Sequence, residues 1–142
     1  MLLRSSTRHW PKAAISLANC CMTSASVTAP CRGTPIWQTC LVRERISTRV
    51  LDMHTAKPLD EEAIRCAAGE TGVIVTAEEH LVHGGLGSAV ARVVVEHRPA
   101  RMRSVAIRDR YARSGKPYQL MEMYGLTSDS IANAVRELMD QR

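Results

Sequence analysis

Apolar and polar positions along this chain switch between strand and helix periods, and the switches mark its elements. Ser47 to His54 (STRVLDMH) alternates as a strand does, and Pro58 ends it by removing a ladder donor. Asp60 then suits a helix N-cap, with Glu61 and Glu62 in the first turn and Ala63, Ile64, Ala67 and Ala68 forming an apolar side. Gly69 and Gly72 bracket the exit into Gly72-Val73-Ile74-Val75-Thr76, a short β-branched run typical of a strand buried on both faces. A second helix is predicted from about Gly87 to His97 on Leu86, Val90, Val93 and Val94, with Pro99 as its stop. Met102 to Ile107 reads as the next strand and residues 109–117 as a loop punctuated by Gly115 and Pro117. A short helix over Tyr118–Tyr124 ends at Gly125, and Thr127 caps a last helix in which Ile131, Ala134, Val135 and Leu138 recur at helical spacing.

Strand, helix, strand, helix, strand implies a mostly parallel sheet with right-handed crossovers. Helices must then cover both faces, so the expected fold is a three-layer α/β/α sandwich over residues 44–142. A chain of 142 residues is long enough for one such domain with its own core.

Charge and cysteine divide the chain. Met1 to Arg43 carries Arg4, Arg8, Lys12, Arg32 and Arg43 with no acid, which is the whole net charge of +5; from Glu44 onward 14 basic and 14 acidic residues cancel. The high pI thus describes a basic leader, and no nucleic-acid partner is expected. Cys20, Cys21, Cys31 and Cys40 and both tryptophans lie in that leader, and Cys66 alone lies in the body. The cysteine spacings do not suit zinc, and reduced thiols in a cytosol-like compartment are expected. No apolar run approaches the roughly 18 residues of a membrane span. Residues 1–43 therefore read as a disordered or artefactual leader (a frameshift or misassigned start), with an organellar transit peptide as the alternative reading of the same Arg- and Ser-rich composition.

Chemistry is expected beyond the carboxyl ends of the strands, where open parallel sheets hold ligands. Three loops belong there, covering residues 52–58, 77–87 and 109–117. The middle one is richest, with Glu78, Glu79, His80 and His83 ahead of Gly84, Gly85 and Gly87. Glycine-turn amides at a helix start can bind an anion such as a phosphate, and an acid beside a histidine can orient it. Opposed to this stands a tight turn in which Glu and His serve structural hydrogen bonds. Gly85-Leu86-Gly87 lies too far from its strand, and precedes too large a residue in Val90, for a dinucleotide fingerprint. His80 and His83 at this spacing make a weak metal pair, one expected to pack and one to be exposed; His54 is a buried or loop histidine, and Cys66 a small core residue. Lys57 and Asp60 could pair locally. Arg108, Asp109, Arg110 and Arg113 form a charged loop or interface rim, while Leu120, Met121, Met123 and Tyr124 read as core. No nucleophile elbow or P-loop is present.

The run ETGVIVTAEEHLVHGGLGSAV, preceded by VLDMHTAKPLDEEAIRCAAGETG and followed by AIRDRYARSGKPYQLMEMYGLTSDSIANAVREL, resembles the C-terminal domain of transketolases, especially the short bacterial and archaeal enzymes split into two subunits. The resemblance covers roughly Ile46 to Leu138. It implies a family that moves a two-carbon ketol unit between sugar phosphates in pentose phosphate metabolism, using thiamine diphosphate and magnesium. The family's amino-terminal domain holds the cofactor through a G-D-G motif and its middle domain supplies the activating glutamate; this chain carries no G-D-G. The resemblance therefore places no catalytic, cofactor-binding or metal-binding residue here. It implies a role in assembly with an amino-terminal subunit or in a homodimer. What carries over is a loop and interface signature: Asp52, His54, Lys57, Pro58, Glu79, His80, Gly84, Gly85, Gly87 and Asp109. Deoxyxylulose-phosphate synthase and the beta subunits of 2-oxo acid dehydrogenases share the domain. The family's one or two upstream strands and their helix find no counterpart in residues 1–43, so one open sheet edge is expected.

Overall fold

The computed structural model describes residues 12–17, 36–111 and 113–140. They form β1 (Lys12–Leu17), α1 (Ile36–Arg43), β2 (Ser47–Asp52), α2 (Glu61–Thr71), β3 (Val73–Leu81), α3 (Leu86–His97), β4 (Arg101–Ile107), α4 (Pro117–Tyr124) and α5 (Ser128–Asp140). The four strands make one sheet in the order β2-β1-β3-β4, with every pairing parallel.

This arrangement corrects the reading of residues 12–17 and 36–43. Lys12–Leu17 is a strand of the sheet, pairing Ala13 with Thr48 on one side and Ile15 with Val75 on the other. Ile36–Arg43 is a helix whose Leu41 is fully buried. The upstream strand and helix are therefore present, and the sheet edges are β2 and β4. The rest of the proposed leader, including Trp10, Cys20, Cys21 and Cys31, lies outside the described residues.

Strand parity sorts the core into two halves. Val73, Val75 and Ala77 of β3 face one side, where they meet Leu41 and Ile46 beside α1 and Ile131, Ala134, Val135 and Leu138 of α5. Ile74 faces the other side and packs with Ile64, Ala67 and Ala68 of α2 and Leu86, Val90, Val93 and Val94 of α3. The helix ends are fixed as residue types dictate. The Asp60 carboxylate accepts the Ala63 N–H at 3.0 Å, and Gly72 closes α2 in the left-handed region at φ 66°. Asp60 thus caps a helix and is not the ionic partner of Lys57. Thr127 Oγ1 accepts the Ser130 N–H at 3.2 Å at the start of α5.

The first and last helices are clasped by Arg136, whose Nε and Nη2 reach the Glu44 carboxylate at 3.0 and 2.7 Å. Hydrogen bonding to Arg136 holds the Glu44 carboxyl below its ordinary range against the opposing effect of burial, with the Arg136 charge as the smallest contribution. A carboxylate depressed in the folded state adds stability that is fully present above its unfolded value and is lost as pH falls through the lowered folded value. Acid titrations of thermal stability should therefore show a shallower decline in Glu44→Gln than in the parent; identical acid limbs would show that the clasp contributes nothing.

Candidate functional site

β3 runs on to Leu81, five residues beyond the β-branched run, before the glycine turn begins. Glu78 therefore lies within the strand, on the parity of Ile74 and Thr76, and faces α3. Its register against β4 shifts between Ala77 and Leu81, which marks the end of regular pairing. Glu78 is 2% exposed. Both carboxylate oxygens are engaged: Oε2 accepts the Leu86 N–H at 2.6 Å and Oε1 accepts the Gly87 N–H at 2.8 Å. These are first-turn amides of α3, which have no intrahelical partner and where the helix dipole favours negative charge.

The glycines make room for this arrangement. A Cβ at Gly85 would collide with the Glu78 carboxylate, lying 2.8 Å from Cδ and closer still to Oε2. A Cβ at Gly87 would lie 2.6 Å from Ser104 Oγ and 3.1 Å from Thr76 Oγ1, two hydroxyls that hydrogen-bond each other at 2.9 Å beneath it. Gly84 adopts φ 79°, a left-handed conformation that a side chain would strain. Ser88 Oγ accepts the Gly84 N–H at 3.1 Å and donates to the Val82 carbonyl at 2.9 Å, so the turn is closed on itself.

Of the two readings of these glycine-turn amides, an external anion or structural hydrogen bonds to a Glu of the turn, the geometry shows the second. The anion is Glu78, supplied by the preceding strand. A phosphate at the same place would have to displace a buried carboxylate and would meet its charge. Period-2 parity carried past Thr76 puts Glu78 on the α3 side, so an acid ahead of a Gly-x-Gly helix start is a usable signal.

The other expected site residues do not converge on it. Glu79, His80 and His83 are all exposed, so neither histidine packs in the interior. His80 Nδ1 lies 3.1 Å from its neighbour's Leu81 carbonyl, and neither histidine meets a carboxylate among the described residues. His54 is an exposed loop residue 3.8 Å from Asp52, and Asp109 is exposed in the loop after β4. Among the described residues, no group of three or more His, Cys, Asp or Glu side chains comes together to hold a metal ion. No described helix is long and apolar enough to cross a membrane.

Cys66 is exposed and not a core residue. Its Sγ lies 3.5 Å from Glu62 Oε1. That hydrogen bond, with partial burial and the Glu62 charge, pushes the thiol above its ordinary range, the reverse of what a nucleophilic cysteine requires. Met121 and Tyr124 do pack against the α1/α5 half of the core, but Met123 is 42% exposed.

Two concavities open near the carboxyl end of β4. One of about 490 Å³ lies along the strand edge, between Arg103–Ala106 and the α4/α5 region that includes Tyr124, Asn133 and Glu137. The other, of about 420 Å³, lies between the loop after β4 and α4. Neither includes residues of the 52–58 or 77–87 loops.

Residues 38–131 match the family model described as the transketolase C-terminal domain. The 6-deoxy-6-sulfo-D-fructose transketolase subunit of Clostridium sp. (strain MSTE9) is 41% identical over 102 residues, covering 72% of this chain and 32% of that one. The 1-deoxy-D-xylulose-5-phosphate synthase of Heliobacterium modesticaldum is 42% identical over 101 residues, covering 70% of this chain and 16% of that one. A solved structure, a split gene transketolase in the form of an inactive beta4 tetramer, superposes with a TM-score of 0.78 at 36% identity over 93% of this chain and 40% of its own. This chain spans less than half the length of each.

Proposed function

Because the chain belongs to the transketolase C-terminal domain family, we propose that it is the C-terminal portion of a transketolase-like thiamine diphosphate enzyme and acts in assembly, with no catalytic step of its own. The observation that carries the assembly reading is Glu78: the anion-binding position of the sheet is filled from within, as a structural latch requires and a substrate loop does not. The donor set does not fit a magnesium-bound diphosphate either. The described residues bring no metal-holding group together, and the first-turn amides of α3 are occupied. No step through the cofactor is assigned to this chain. Glu79, His80 and His83 are exposed polar groups near the same turn, suited to an interface rim.

The partner in this proposal is an amino-terminal transketolase subunit that holds the cofactor, or a second copy of a chain carrying those domains. Similarity to split transketolase subunits supports it. The equally close match to a deoxyxylulose-phosphate synthase supports a second reading, in which the same domain serves that related thiamine enzyme. The proposal keeps a cytosolic compartment, in line with the free thiols of Cys40 and Cys66. It is tested by mixing the purified chain with the amino-terminal subunit of a split transketolase, thiamine diphosphate and magnesium. Co-migration on size exclusion is expected, with ketol transfer confined to the mixture. Cofactor-dependent turnover by the chain alone overturns the proposal, and so does failure to associate with either partner.

A further inference from the structure

The loop after β4 gathers Arg108, Arg110, Arg113 and Lys116 against Asp109 alone. Among the other described arginines, Arg49, Arg65, Arg92, Arg103 and Arg136 each meet a carboxylate, whereas Arg43, Arg45 and Arg98 form no ion pair there but are not gathered in one loop. None of the loop's four cations does so among the described residues. An uncompensated cluster of this kind lowers the cost of bringing in an external anion.

The loop is nonetheless fixed to α4. Tyr124 Oη accepts the Arg113 N–H at 2.9 Å and donates to the Tyr111 carbonyl at 3.2 Å. These two bonds shape the concavity of about 420 Å³ lined by Arg110, Tyr111, Arg113, Met123 and Tyr124. That volume lies in the range of small-molecule sites, and the walls combine aromatic and thioether surface with few polar groups, as such sites do. Both guanidinium groups present planar donor forks suited to the oxygens of a phosphate. Tyr111 stands 99% exposed and Met123 42%, apolar surface that a folded chain leaves in water at a cost. A flat ring laid against them would remove it from solvent.

The geometry points to a binding site for a compact phosphate monoester that carries an aromatic or apolar ring. Arg110 and Arg113 hold its charged end, and Tyr111 and Met123 cover its ring. A short concavity bounded by one loop and one helix suits such a ligand better than an extended acidic peptide. The site is separate from the Glu78 turn and does not depend on the assembly role proposed above.

Isothermal titration of the full chain at low salt tests this with three probes: adenosine 5′-monophosphate, ribose 5-phosphate and inorganic phosphate. Affinity is expected to fall in that order, because the first supplies ring and phosphate and the last only charge. The double variant Arg110→Gln/Arg113→Gln should weaken adenosine monophosphate about tenfold or more, since each lost charged contact is a large fraction of a small ligand's binding energy. Arg65→Gln, on α2, should leave binding unchanged. Circular dichroism confirms that the variants are folded, which the exposure of both arginine side chains leads one to expect. No saturable binding at millimolar ligand overturns the proposal. So does inorganic phosphate binding as tightly as the nucleotide, affinity indifferent to the double variant, or capture of a poly-glutamate peptide in place of the nucleotide.

Discussion

Replacing Glu78 with alanine is expected to lower the unfolding free energy by about 3 kcal/mol, the scale for losing buried hydrogen bonds to a charged group. The loss has two parts. The Leu86 and Gly87 amides, now paired at 2.6 and 2.8 Å, would be left buried without acceptors. The first turn of α3 would also lose the negative charge that its dipole favours. Water entering the vacated space and relief from holding a buried carboxylate offset part of this, so the full sum of two charged bonds is not expected. Glu78→Gln keeps one acceptor but turns an amide donor toward a backbone N–H, and should cost about 2 kcal/mol on the same scale. Urea unfolding with an unchanged slope measures both. A loss under about 0.5 kcal/mol, the range of ordinary surface changes, would show that the carboxylate is not a structural latch.

Helical and strand periods located α2, α3, α5, β2, β4 and the start of β3 to within a few residues, because burial of one face or one parity is a local rule that each segment obeys alone. Ile131, Ala134, Val135 and Leu138 are all buried, as their spacing predicted. β1 was missed for the opposite reason. Lys12–Leu17 is short and four of its six residues are small or polar, and what makes it a central strand is pairing with β2 and β3 across long stretches of chain. Cys66 was misplaced by treating α2 as apolar on a broad side. Ile64, Ala67 and Ala68 define the buried arc, and two positions beyond Ile64 is about 200° round the helix, which is its solvent side. The acidic-histidine loop was legible as a tight turn in which a Glu serves structural hydrogen bonds, but the partners of that Glu were not. Nothing in the residue type of Glu78 announces that its partners are backbone amides eight and nine residues on, whereas parity, applied one step further along β3, puts it on the correct face.

The glycines give a sharper test, because two neighbours should fail for different reasons. Gly85→Ala should destabilise the fold by about 3 kcal/mol, within the range for forcing an extra methyl into a filled site. Gly85 has φ −85° and ψ −166°, an extended conformation that alanine adopts freely, so backbone strain contributes nothing. The whole cost arises from the collision with the Glu78 carboxylate. Removing that carboxylate should therefore abolish it: in a Glu78→Ala background, Gly85→Ala should be close to neutral, an interaction energy of about 2–3 kcal/mol in the cycle. Gly84→Ala behaves differently. Its Cβ would meet nothing within 4 Å, but φ is 79°, so the cost is the left-handed penalty of about 1–2 kcal/mol. That penalty belongs to the backbone alone and should be the same with or without Glu78. Additive losses for Gly84→Ala beside strongly non-additive losses for Gly85→Ala would establish that the turn is shaped around an internal anion. Additivity at both positions would mean that the glycines serve the backbone only, and the assembly reading would lose the observation that carries it.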